Sequence, residues 1–195
     1  MENRDIFKTD FYKKRIELLK KDDFERTSGI RHPTVERYAC DKTVSILVSR
    51  ISLQDTLKST RAEVSQNLDY GIPDDSGVIT AKPLDLDLYR EQQSIITDCV
   101  KQISAIDKAI LALSELDAPF YSDLDADIHT LNTQLRTVNH EIENYTNRTD
   151  KDSDTFVKGQ LKGLGKEKAS LDNTLKIKLS TKEELDKILS TIEVD

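Results

Sequence analysis

Apolar residues return every three or four positions over most of this chain, and the long runs of that pattern read as helices rather than strands. Between residues 86 and 117, Ile96, Cys99, Ile103, Ile106, Ile110 and Leu113 step by alternating threes and fours, which averages to the roughly 3.5-residue period of a coiled-coil seam. From Ser122 onward the same alternation runs through Leu124, Ile128, Leu131, Leu135, Val138, Ile142 and Tyr145. Those three heptads make about 30 Å of helix at about 1.5 Å per residue. Ser122 followed by Asp125 predicts the amino-terminal cap of this helix, a variant of the capping box. A further seam starts at Val157 and continues through Leu161, Leu164, Leu171, Leu175, Leu185, Leu189 and Ile192, with Lys168, Lys178 and Lys182 at seam positions.

Between the last two seams, residues 147–154 contain no apolar side chain, and Val157 is out of heptad phase with Tyr145. The break reads either as the tip of a hairpin or as a frayed stutter in one long rod. A hairpin is favoured, because eight consecutive polar residues exceed what a stutter requires.

Proline and glycine divide the rest. Pro33, Pro73, Pro83 and Pro119 with Gly29, Gly71 and Gly77 fall at 27–33, 70–83 and 119, and such residues bound helices. This predicts a short amphipathic helix and linker over 1–33. Over 34–118 it predicts two long helices joined by an acidic loop at 69–83, the first opening at Pro33 and running through Val44, Leu47, Ile51, Leu57, Val64 and Leu68. A carboxy-terminal coiled-coil region then covers 119–195. The expected fold class is all-α: elongated helical hairpins and coiled coil, with no compact globular domain.

Composition supports long two-faced helices. Of the residues, 33% are charged and 36% hydrophobic, an apolar share below that of an ordinary globular chain. No apolar run approaches the length of a membrane span, and the first residues lack the apolar stretch of a secretory signal. Two cysteines, Cys40 and Cys99, cannot build a disulfide framework, so a reduced intracellular compartment is expected. The net charge of −7 is concentrated at 69–154, where it repels phosphate and argues against nucleic acid being held there.

Candidate chemistry is sparse. His32, His129 and His140 lack the companions of a metal site. Asp123-Leu124-Asp125-Ala126-Asp127 and Asp150-Lys151-Asp152-Ser153-Asp154 begin like calcium loops, but neither has the required later glycine and glutamate. Gly159, Gly163 and Gly165 have the wrong spacing for a phosphate loop. Gly159 and Gly163 share a helix face on which a partner backbone could approach. Lys13, Lys14, Arg15, Lys20 and Lys21 form a candidate basic patch beside Phe7 and Phe11. The chain is therefore expected to be no enzyme, to need no cofactor and to bind no metal.

The seams remain as the functional feature. They expose apolar surface worth about 25 cal/mol per Å² when covered, and helices this long with few aromatics are not readily wrapped into one globule. The expected function is a structural subunit of a hetero-oligomeric assembly, packing against partner helices. Lysines at seam positions weaken a self-matched pair and favour unlike chains. The layout resembles small helical subunits of kinetochore, vesicle-tethering and mRNA-export assemblies. That likeness is architectural, carries no residues over, and suggests a nuclear complex. The competing expectation is an adaptor that oligomerises through its coiled coil and binds nucleic acid or an anionic membrane through basic residues 5–26.

Overall fold

A computed structural model describes residues 5–68, 85–147 and 155–192. Among these residues the chain is all-α, with no strand. After a short 3-10 turn (Ile6–Lys8) come α1 (Asp10–Ser28), α2 (Pro33–Ala39), α3 (Lys42–Leu68), α4 (Leu86–Glu115), α5 (Tyr121–Thr146) and α6 (Thr155–Ser190). They form two units, one built from the turn and α1–α4, the other from α5 and α6.

The helix ends follow local chemistry. Thr9 caps α1, its Oγ1 accepting from the Tyr12 N–H at 3.2 Å, and Gly29 closes the helix in the left-handed region (φ +72°), which glycine adopts without steric cost. Pro33 opens α2, where its missing N–H costs nothing. The sequence predicts one helix from Pro33 to Leu68, but the chain breaks at Cys40-Asp41. Asp41 acts there as a cap. Its carbonyl accepts from the Ser45 N–H, and its Oδ1 accepts from the Thr43 N–H at 2.8 Å and from the Thr43 hydroxyl at 2.7 Å. A short carboxylate that captures backbone donors starts a new helix more readily than it continues an old one.

Asp85 caps α4 in the same way, accepting from the N–H groups of Asp87 and Leu88. At its far end Asp117 takes φ 45°, a conformation Asp tolerates better than most residues. For α5 the structure corrects the sequence reading: Phe120, not Ser122, holds the cap position, and it makes no side-chain cap bond.

Within each unit the two long helices pack antiparallel, α3 on α4 and α5 on α6. In the first unit Arg50 of α3 pairs with Asp107 of α4, while Gln92 of α4 reaches Glu63 of α3. In the second, Asp127 meets Lys178, Asp125 meets Lys182 and Tyr121 meets Asp186. As one member of each pair moves forward along the chain the other moves back. The α5–α6 pair is therefore a hairpin centred on the polar break, as the eight polar residues suggest. The acidic loop 69–83 and residues 148–154 lie outside the described residues.

The buried residues sit along these pairings. In the first unit they include Val44, Ile46 and Leu47 of α3 with Cys99, Ile106, Ala109, Ile110 and Leu113 of α4, joined by Ile6, Phe11 and Val35. In the second they include Leu124, Leu135 and Val138 facing Val157, Leu164 and Leu185.

The three glycines of α6 are not needed for packing inside the chain: a Cβ built at Gly159, Gly163 or Gly165 meets nothing within 4 Å. Gly163→Ala and Gly165→Ala should therefore each stabilise the chain by about 1 kcal/mol, the helix-propensity difference between the two residues. Urea unfolding checks this, and a loss of stability would mean that this face is packed.

Candidate functional site

No seam residue expected from the sequence is fully exposed. On α4, Cys99, Ile106, Ile110 and Leu113 are buried and Ile96 and Ile103 half-buried. On α5, Leu124, Leu135 and Val138 are buried, with Ile128, Leu131 and Ile142 half-buried. On α6, Leu164, Leu185 and Leu189 are buried, and Leu161, Leu171 and Leu175 half-buried. Much of the surface that the sequence assigns to partner chains is thus covered by the neighbouring helix of the same chain. Half-burial persists because one helix covers only one side of a stripe wider than a two-helix seam.

The seam lysines carry a second correction. Lys178 and Lys182 are half-buried, and each ammonium donates to a carboxylate of α5, Lys178 to Asp127 at 2.7 Å and Lys182 to Asp125 at 2.5 Å. For Lys178 and Lys182 the argument for unlike partners loses its force, since the chain itself satisfies them, and it rests on Lys168 of the α6 seam. The same contacts engage two of the three aspartates that imitate a calcium loop. The Lys182 ammonium also lies 5.2 Å from the centre of the Tyr121 ring, and the Tyr121 hydroxyl donates to Asp186 at 2.8 Å. Such solvent-facing pairs add at most about 1 kcal/mol each but fix the register of the hairpin. The Asp125 hydrogen bond raises the pKa of Lys182 above its ordinary value. The contribution of this pair is therefore present at neutral pH and is lost as pH climbs through that raised pKa.

The basic patch divides. Lys13, Lys14, Lys20 and Lys21 are exposed on α1, but Arg15 is only 2% exposed and lies inside the first unit. Its guanidinium rests 3.6 Å from the Phe11 ring centre, and its Nε donates to the Thr43 hydroxyl of α3 at 2.9 Å. Burial lowers its pKa to about 10, opposed by the charges of Asp41 and Asp117. Arg15 stands four residues after Phe11, on the same face of α1. That spacing is the signal, present in the sequence, that it belongs to the inward side.

Sequence reasoning missed Arg50. It is buried, donates to both carboxylate oxygens of Asp107 (2.6 and 3.4 Å) and sits 4.9 Å from the Phe7 ring centre. Phe7 in turn packs edge-on against Tyr12 at 5.2 Å. One forked cation thus locks α3 to α4 and seats the amino-terminal turn. No local pattern links residues so far apart along the chain.

Beside this lock runs a groove of about 790 Å³, lined by Leu57 of α3, by Val100, Ile103, Ser104, Asp107, Lys108 and Leu111 of α4, and by Asp5, Ile6 and Lys8 of the turn. It is continuous with exposed apolar surface on α4, where Val100 is 46% exposed. One heptad apart on the other flank of the seam, Leu88 is 40% and Ile95 37% exposed. The sequence seam named neither flank, because it followed only the positions at the centre of the stripe. The groove mixes apolar side chains (Ile6, Leu57, Val100, Ile103, Leu111) with charged and polar ones (Asp5, Lys8, Ser104, Asp107, Lys108), a surface for an amphipathic side-chain row. Among the described residues no three His, Cys, Asp or Glu converge as a metal site. Cys40 is exposed, and Cys99 lies in the α4 seam. None of the described helices is long and apolar enough to cross a membrane.

Thr43→Val keeps the shape of the side chain but removes the acceptor of Arg15 Nε and the hydroxyl held by Asp41. It should cost about 1–3 kcal/mol, as expected when a buried polar group loses its partner. Urea unfolding at neutral pH measures this, and an unchanged midpoint would contradict the role given to the network. Compared with known proteins, the chain matches no family model, no curated protein and no solved structure.

Proposed function

We propose that this chain is a non-catalytic helical subunit that joins unlike helical chains in a larger assembly, the contact lying on α4 and its groove. The observation that carries the reading is the width of the α4 stripe. Helix α3 covers its centre, while Leu88, Ile95 and Val100 on the two flanks remain exposed and Ile96 and Ile103 half-exposed. A stripe wider than its intramolecular partner is what a helix presents when further helices complete its surroundings. The groove beside Ile103 suits an amphipathic helix that inserts apolar residues at successive turns.

The α5–α6 hairpin has another part in this reading. Its seam is partly covered by its own neighbour and tied by its own lysine–aspartate pairs, so it serves as a self-paired element beside the α4 contact. Assignment of the assembly to the nucleus, as in kinetochore or mRNA-export complexes, follows from the architectural likeness alone and is part of the same proposal. Imaging of the tagged chain addresses it.

Because Ile95 and Val100 are partly covered, Ile95→Glu with Val100→Glu should keep the helical circular dichroism and a cooperative unfolding transition, at a cost of about 1–2 kcal/mol in stability. The same double variant should lose the unlike chains that co-purify with the parent in fixed ratio. Retention of the same chains by the folded variant would contradict the assignment, as would a parent chain that purifies alone.

A further inference from the structure

The outward face of α1 is used neither by the hairpin lock nor by the α4 groove. Withdrawal of Arg15, Phe11 and Glu25 into the protein fixes which side of this helix faces solvent. At about 100° per residue, Lys13 and Lys20 lie within about 40° of Phe24 around the helix, and Lys14 and Lys21 within about 80°. All four lysines are exposed, and the exposed Asp10 and Glu17 are the acidic residues sharing their arc. Phe24, in the middle of that arc, is 69% exposed. The left-handed turn at Gly29 ends the helix, and Ile30 directly after it is 60% exposed. In this kind of helix ending, the residue after the glycine returns toward the last turn. Ile30 therefore emerges at the same end of α1 as Phe24.

We propose that this face docks on an anionic lipid bilayer, with Phe24 and Ile30 entering the headgroup region and the four lysines facing the anionic headgroups. Two aspects of the pattern select a bilayer over other acidic partners. A partner helix needs apolar anchors at successive turns along the contact, whereas the exposed apolar side chains here are gathered at one end of the helix and bordered by lysines. A cluster of lysines beside a few apolar anchors is a peripheral contact to an anionic surface, in which charge attraction leads and the anchors add to it. Recognition of nucleic acid favours arginines, whose planar forks pair with phosphate and base edges. Near this face Arg15 is buried, Arg26 pairs with Asp22 and Asp23, and Arg31 pairs with Glu36. Lysines, as point charges on flexible stems, suit a diffuse anionic surface. The interaction adds a location to the proposed subunit and does not depend on the α4 contact.

Sedimentation of the full chain with vesicles tests this, comparing phosphatidylcholine alone with phosphatidylcholine containing phosphatidylserine. Binding is expected to the anionic vesicles only, and to fall as salt is raised. Changing the four lysines to glutamine should weaken it about tenfold or more, since each lysine near an anionic membrane adds to the attraction. Phe24→Ser should weaken it several-fold with salt dependence retained. These positions are exposed, so both variants should keep the parent's unfolding midpoint. Failure of the parent to sediment with anionic vesicles would overturn the proposal. So would equal binding by Phe24→Ser together with comparable binding to duplex DNA, which would make the face a general polyanion contact.

Discussion

An apolar stripe on a long helix has to be covered, and the nearest available cover is the helix that follows it in the chain. That constraint organises this protein. It pairs α3 with α4 and α5 with α6 in antiparallel hairpins, and it buries the centres of the seams while leaving their edges open. The polar contacts come second. Arg50 with Asp107 and Lys182 with Asp125 set which residues stand opposite one another, since an apolar stripe alone tolerates sliding by a heptad. Removal of the seams would leave these ion pairs with nothing to align.

The two units meet the constraint in different ways. In the α5–α6 unit the coverage is reciprocal, yet Leu131, Leu161, Leu171 and Leu175 stay half-buried and Phe156, Ile177 and Leu179 of α6 stay exposed. In the α1–α4 unit, the amino-terminal turn and α1 lie against the hairpin and bring Ile6 and Phe11 into the core. The arginine that accompanies them is buried at a cost, offset by a hydroxyl, an aromatic face and nearby carboxylates. The groove beside that turn and the flanks of α4 stay open, and the proposed function rests on them.

Much of this was legible from the sequence because helix period, proline and glycine are local signals. The α4, α5 and α6 seams and the hairpin at the polar break fall where the three-and-four alternation puts them. What escaped the reading depends on distance. Asp41 splits a helix because its carboxylate captures the N–H and hydroxyl of Thr43, a competition that the apolar positions continuing from Val35 to Val44 and Leu47 concealed. Arg15 looked like surface charge because composition counts a cation the same way whether it faces water or Phe11. Lys178 and Lys182 looked like seam defects because their partners, Asp127 and Asp125, lie on another helix. Arg50 carried no signal, since its role exists only once α3 and α4 are side by side.

The central claim is that other chains cover the flanks of α4 in the native assembly. Photo-crosslinking in the native cell, with a photoreactive residue in place of Ile95 and, as the control, in place of the exposed Lys101, tests it most directly. The account requires strong adducts to an unlike chain from position 95 and few from 101. Equal, sparse adducts from both sites would show that the α4 stripe faces water and would contradict it.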